Sequence, residues 1–195
     1  FAIAGDGCMM EGISGEAASL AGHLSLSNLV WIYDNNNITI EGNTSLAFSE
    51  DVAARFRAYG WNVQHVTDAN DIGTLERELQ TAIDEKERPS IIIVDSHIAY
   101  GSPNKQDTAA AHGAPLGDDE VRAAKENYGW DPDKTFYVPD EVSKFKEAMI
   151  DKGTRLEEEW KEKLKAYTKA FPDLARQFNT MQNCELPEGW EDIIP

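Results

Sequence analysis

The chain has 195 residues, 41% of them hydrophobic, enough for one packed domain or one domain with an appendage. Its 18 basic residues against 35 acidic ones give a net charge of −17, a field that repels nucleic acid and acidic membrane surfaces, so neither is an expected partner. The longest apolar runs, LVWIY and IIIV, fall far short of the roughly 20 residues of a membrane helix, and Cys8 and Cys184 show neither CxxC spacing nor a disulfide framework, which fits a reducing cytoplasm.

The first half alternates short apolar runs with helical patterns, the signature of βαβ units on a parallel sheet. FAIA is the first expected strand. Ile13, Ala17, Leu20 and Leu24 then recur at helical spacing, predicting a helix from about Glu11 to Leu24 packed on the sheet through that stripe. LVWIYD is the next strand, and ITIEG a short strand entering a turn at Gly42. SEDVAARFRAYG opens on a Ser/Asp cap signal and closes on Gly60, as a helix does. WNVQHV alternates as a strand, and Ile72, Leu75, Leu79 and Ile83 mark an amphipathic helix before Pro89 and the buried strand SIIIVDS. From Ala99 a Gly-, Pro- and Ala-rich stretch reads as a long irregular loop, the kind that is functional or disordered in a compact domain. A helix near Asp118 to Tyr128 follows, then a mostly helical tail with Leu156, Trp160, Leu164, Tyr167 and Phe171 in one stripe. The fold class expected is α/β, an open, mainly parallel sheet flanked by helices, with a helical C-terminal strap. Residues 1–138 form the α/β domain and 139–195 the helical linker.

Ligands of open parallel sheets bind beyond the carboxyl ends of the strands, and Asp6 stands at such an end. Gly5 and Gly7 let a ligand approach the backbone, and the N-terminal amides of the helix that follows favour a phosphate. The second strand ends in DNNNI, with Asn36 one β-α-β passage after Asp6. A carboxylate, an amide oxygen and a backbone carbonyl, that of Ile38, are hard ligands suited to Mg²⁺, which keeps other positions for phosphate and water.

GDG after a buried strand, followed at this spacing by a strand ending in N-x-I, resembles the thiamine-diphosphate signature, and MEGISGEAASLAGHL its transketolase version. The resemblance runs almost end to end, through IYDNNNITIEG, ARFRAYGWNV, IAYGSPNK, HGAPLGDDEV and YGW with VPDEV. The chain is therefore similar to the later part of the cofactor-diphosphate domain of transketolases and the linker behind it, an incomplete thiamine-diphosphate-binding fold.

That resemblance implies transfer of a two-carbon ketol unit between sugar phosphates, a reaction of the pentose phosphate pathway. Its cofactors would be thiamine diphosphate and Mg²⁺, or Ca²⁺ in its place. Asp6, Asn36 and the carbonyl of Ile38 would bind the metal, and Gly7, Asn36 and His112 the diphosphate. His112 would also reach the reacting oxygen of the substrate, a task suited to an imidazole near neutral pH. Glu11 and Glu16 match glutamates near a homodimer axis that link two active sites; the alternative is that they serve the helix dipole. Gly15, Ala18 and Gly22 form a small-residue face that admits either a partner helix or tight packing within one subunit. Asn37 stands where a glycine is common, which its tolerance of left-handed backbone allows. Gly15, Asp95 and Ala109 also depart from the pattern and bear on substrate preference.

The pyrimidine-binding glutamate of the family and the residues that grip the sugar phosphate have no counterpart here. The isolated segment is expected to be inactive without the missing domains. A related thiamine-diphosphate enzyme, namely a dihydroxyacetone synthase or a split N-terminal transketolase subunit, is an alternative. A noncatalytic α/β scaffold is another.

Overall fold

The computed structural model describes residues 1–193. It divides into two compact units, residues 1–134 and the region from 135 on.

The first unit is built on strands β1 (Ala2–Gly5), β2 (Val30–Asn35), β5 (Asn62–Val66) and β6 (Ser90–Asp95), all parallel, in the order β1-β2-β6-β5. Strands β3 (Ile38–Thr39) and β4 (Gly42–Asn43) form a separate small hairpin. The apolar run IIIV explains why β6 lies inside the sheet: Ile91 and Ile93 are buried on one face, Ile92 and Val94 on the other. β5 alternates, as an edge strand does, and buries Gln64 and Val66.

Helices α1 (Asp6–Met10), α2 (Gly12–His23), α3 (Val52–Ala58), α4 (Ile72–Asp84) and α5 (Asp118–Asn127) complete the unit. Asp51 caps α3 by accepting from the Ala54 amide, and Asp71 caps α4 by accepting from Thr74. Gly60 ends the α3 segment with φ 83°. On one side of the sheet Trp31, Phe56 and Trp61 pack edge-on or tilted, with centroids 5.1–5.7 Å apart. On the other, Leu75, Leu79 and Ala82 of α4 meet Val30, Val66, Ile92 and Val94.

The α2 segment is placed as its periodicity predicts, but its buried face is not the predicted one. Ile13, Leu20 and Leu24 are 67%, 58% and 55% exposed, whereas Ser14, Ala18 and Ala21 are buried. Backbone proximity decides this. A Cβ on Gly22 would sit 1.9 Å from the Tyr59 carbonyl oxygen, and the Trp61 indole donates to the Ala18 carbonyl at 2.8 Å. Only a face of small residues fits so close, and Gly15, Ala18 and Gly22 therefore serve packing within the chain. On α4 the ends of the predicted stripe, Ile72 and Ile83, are also exposed.

The segment from Ser96 to Gly117 is a long loop with one 3₁₀ turn at Ala109–Ala111, yet it is tied down. Buried Glu120 of α5 accepts from the Ser102 hydroxyl, from the Asn104 amide at 2.8 Å and from Asn104 Nδ2 at 2.9 Å. Those bonds, that of Ser102 foremost, hold the Glu120 carboxyl down at about 2. Lys105 donates to the Leu116 carbonyl at 2.7 Å, and Asn127 Nδ2 to the Gly101 carbonyl at 2.9 Å.

The second unit holds α6 (Asp140–Ala170) and α7 (Pro172–Gln182), with Pro172 in the first turn of α7 where its missing N–H costs nothing. Trp160, Leu164 and Tyr167 of the predicted stripe line a groove with Phe178 of α7, and the Trp160 and Phe178 rings meet edge-on at 6.4 Å. Leu156 and Phe171 stay half exposed.

Candidate functional site

The parallel register pairs Gly5 with Asp34, Asp34 with Val94 and Asn35 with Asp95, so β1, β2 and β6 end at one level. The loops leaving these ends surround a cleft of about 770 Å³. Gly5, Asp6, Gly7, Cys8, Glu11, Asp34, Asn36, Ile38, His97 and His112 are among its lining residues. Six of the seven predicted site residues, Asp6, Gly7, Glu11, Asn36, Ile38 and His112, thus meet in one cavity. Glu16, on α2, does not line it.

Asp6 is only 3% exposed, and both of its oxygens are engaged. Oδ1 accepts from the Tyr33 hydroxyl at 2.6 Å and Oδ2 from the Asn37 amide at 2.8 Å. Each carboxylate oxygen keeps a further acceptor position, since two lone pairs are available on each. Tyr33 is 2% exposed; burial above all, and then its bond to Asp6, push its phenol above the usual range, so it stays a donor. The left-handed φ of 62° at Asn37 aims its N–H at Asp6, a conformation Asn accepts readily.

Asn36 Oδ1 accepts from the Ile38 amide at 2.9 Å, and its Nδ2 donates to Asp34 Oδ2 at 3.1 Å. Asp34 Oδ1 accepts in turn from the Ser96 hydroxyl, which links the ends of β2 and β6. The Asn36 amide is thereby oriented from both sides. His112 follows the 3₁₀ turn, its amide donating to the Ala109 carbonyl at 3.0 Å, and its exposed imidazole has no hydrogen-bond partner among the described residues.

The donor set fits a hard cation. Asp6, Asn36 and the Ile38 carbonyl offer oxygen only, and no cluster of three His, Cys, Asp or Glu side chains competes for a metal among the described residues. A Cβ built on Gly5 or Gly7 meets nothing within 4 Å, so packing within the chain does not demand glycine at either position and their backbone stays open to a ligand. The helix-dipole argument fares less well. Asp6 opens only the five-residue α1, which breaks at Glu11 before α2 begins, so the phosphate expectation rests on bare backbone and the metal ligands.

A match to the family described as "Transketolase, thiamine diphosphate binding domain" covers residues 1–187. The chain belongs to the transketolase family. It is 45% identical over its whole length to a transketolase of Halalkalibacterium halodurans, and 44% identical to transketolase 2 of Saccharomyces cerevisiae. A transketolase structure from Leishmania mexicana superposes on all of it with a TM-score of 0.89 at 40% identity. The chain spans 29% of the length of each of these relatives.

Within this transketolase frame, three site features escaped the sequence reading. Tyr33 was legible only as an apolar-facing strand residue, since the register that sets it beside Asp6 is a property of the sheet. The Asp34–Ser96 link needs the same register. His97 lies just past the carboxyl end of β6, and the rule that placed Asp6 at a site applies to it equally. Of the two glutamates, Glu11 is the N-cap residue of α2, where its charge faces the helix N-terminus although its side chain makes no capping bond, and Glu16 lies beyond the first turn.

Proposed function

We propose that this segment forms the Mg²⁺–diphosphate end of a transketolase-type active site that moves a two-carbon ketol unit between sugar phosphates. The observation that carries the reading is the convergence of Asp6, Gly7, Asn36, Ile38 and His112 on one cleft. Asp6, Asn36 and the Ile38 carbonyl would hold Mg²⁺, with Ca²⁺ as a substitute, and Gly7, Asn36 and His112 would hold the diphosphate. Thiamine diphosphate would supply the chemistry that breaks and remakes the carbon–carbon bond beside a ketose carbonyl.

The chain's own part is positioning and proton traffic. Tyr33 and Asn37 fix the Asp6 carboxylate, Asp34 and the Ile38 amide fix Asn36, and His112 donates to, or takes a proton from, an oxygen of the bound substrate. Residues 1–138 serve this role and 139–195 link it to further domains, whose residues complete the site; the isolated segment is inactive. The exposed stripe of Ile13, Leu20 and Leu24, with Glu11 and Glu16 beside it, supports a homodimer built across α2. The free cysteines, Cys8 and Cys184, support a reducing, cytoplasmic location for a reaction of the pentose phosphate pathway.

A ketose phosphate labelled with ¹³C at C1 and C2, given to the complete assembly with an aldose phosphate, tests this. Both labels should move together to the acceptor; no transfer, or separation of the two, would refute the reading.

A further inference from the structure

His97 is pinned where His112 is not. Its Nδ1 lies 3.0 and 2.9 Å from the two carboxylate oxygens of Asp107. Backbone brings that carboxylate there: Asp107 adopts a left-handed φ of 58°, and its amide donates to the Ile98 carbonyl at 3.1 Å, closing the loop onto itself. Ala99 in the same loop is also left-handed, at φ 51°, and such conformations in non-glycine residues gather at functional sites. The second ring nitrogen, Nε2, has no protein partner among the described residues.

His97 also lines two cavities, the 770 Å³ cleft and an adjoining groove of about 540 Å³. The groove is walled by Asn35, Thr67, Asp68, Asn70, Asp95 and Ser96 among others, with no lysine or arginine among the described residues that line it. Hydrogen bonds from the backbone and then the side chain of Asn70 keep the Asp68 carboxyl below its usual range. The walls of the groove, with Asp68 and Asp95 and no basic side chain among the described residues, repel a phosphate and offer acceptors to hydroxyls. A carboxylate on Nδ1 favours the tautomer with its proton there, which leaves a lone pair on Nε2.

We infer that His97, oriented by Asp107, accepts a hydrogen bond from a carbon-chain hydroxyl of the substrate where the cleft meets this groove. The inference rests on the ketol-transfer reading, and it makes Asp107 a positioning residue that acts only through His97. The contact to Asp107, between side chains 54% and 44% exposed, reduces the rotamer freedom His97 loses when the ligand arrives.

The test uses the complete assembly loaded with thiamine diphosphate and Mg²⁺, and measures binding of D-ribose 5-phosphate and of D-ribose alone, neither of which turns over without a ketose donor. His97→Ala should weaken both by the same factor, about tenfold, raise KM accordingly and change kcat little. His97→Gln, which keeps an acceptor near the Nε2 position, should restore part of the loss. Asp107→Gly retains the left-handed backbone and should cost less than His97→Ala, and nothing more when added to it. The idea is overturned if only the phosphorylated sugar is affected, if cofactor affinity falls in parallel, if binding is unchanged, or if Asp107→Gly costs as much in the His97→Ala background as alone. Lack of ketol transfer by the unmutated assembly would instead refute the underlying reading.

Discussion

The Tyr33 hydroxyl donates to Oδ1 of Asp6 at 2.6 Å, with both residues buried, Asp6 just past the end of β1 and Tyr33 within the neighbouring β2. A carboxylate taken out of water at a strand end is costly unless its oxygens are satisfied. Tyr33 supplies one donor and the left-handed Asn37 amide the other. Tyr33→Phe should therefore lower Mn²⁺ affinity, read by electron paramagnetic resonance, by about 10- to 100-fold. It should also reduce stability by about 1–3 kcal/mol. Unchanged metal affinity would show that Asp6 needs no such support.

The same pair sets an alkaline limit. The folded phenol is raised above its unfolded value, so its contribution is fully present below about pH 10 and drains away as pH rises beyond that. Urea midpoints of wild type and Tyr33→Phe should converge above about pH 10; a constant gap would contradict the assignment.

Glu120 sets an acid limit in the opposite sense. Its carboxyl is depressed from 4.5 to about 2 by Ser102 and Asn104, so the stabilisation is present above pH 4.5 and is lost as pH falls from there toward 2. Because these bonds tie the loop that carries His112, protection of the Asn104 amide against hydrogen exchange, relative to a free amide at the same pH, should fall over that window. Glu120→Gln should show the lower protection already at neutral pH, and retained protection would refute the brace.

Gly22→Ala places a methyl against the Tyr59 carbonyl, where the ideal Cβ lies 1.9 Å from the oxygen. Shifting α2 away from the α3 segment should cost at least about 1–3 kcal/mol. Gly7→Ala meets nothing within 4 Å in the chain itself, so it should leave urea stability nearly unchanged while weakening diphosphate binding. Equal stability losses at the two glycines would contradict the distinction between packing and ligand approach.

The exposed stripe on α2 gives a test of assembly. Leu20→Asp should leave the fold intact, since Leu20 is 58% exposed, and should shift the complete protein toward monomer in sedimentation velocity. A dimer of unaltered affinity would place the interface elsewhere.

Strand and helix positions were legible because alternation, apolar runs and caps are local signals, as SIIIVDS and the Asp51 cap demonstrate. Asp6 and Asn36 could be placed together because strand ends of a parallel sheet share an edge, and His112 through the resemblance of HGAPLG, and all three line one cleft. What was not legible depends on distance between backbones. The α2 face was misread because a stripe of large apolar residues ordinarily points inward, and nothing local announces that Tyr59 and Trp61 come too close for it. The loop after Ala99 read as irregular because its order comes from scattered side-chain and backbone bonds, those to the buried Glu120 carboxylate beyond its end among them.

The most direct measurement is calorimetric titration of thiamine diphosphate into the complete assembly with and without Mg²⁺, comparing wild type with Asp6→Ala. The account predicts Mg²⁺-dependent binding that Asp6→Ala abolishes while the sheet stays folded. Equal binding by both proteins, or binding indifferent to Mg²⁺, would contradict the claim that this cleft is the metal–diphosphate site.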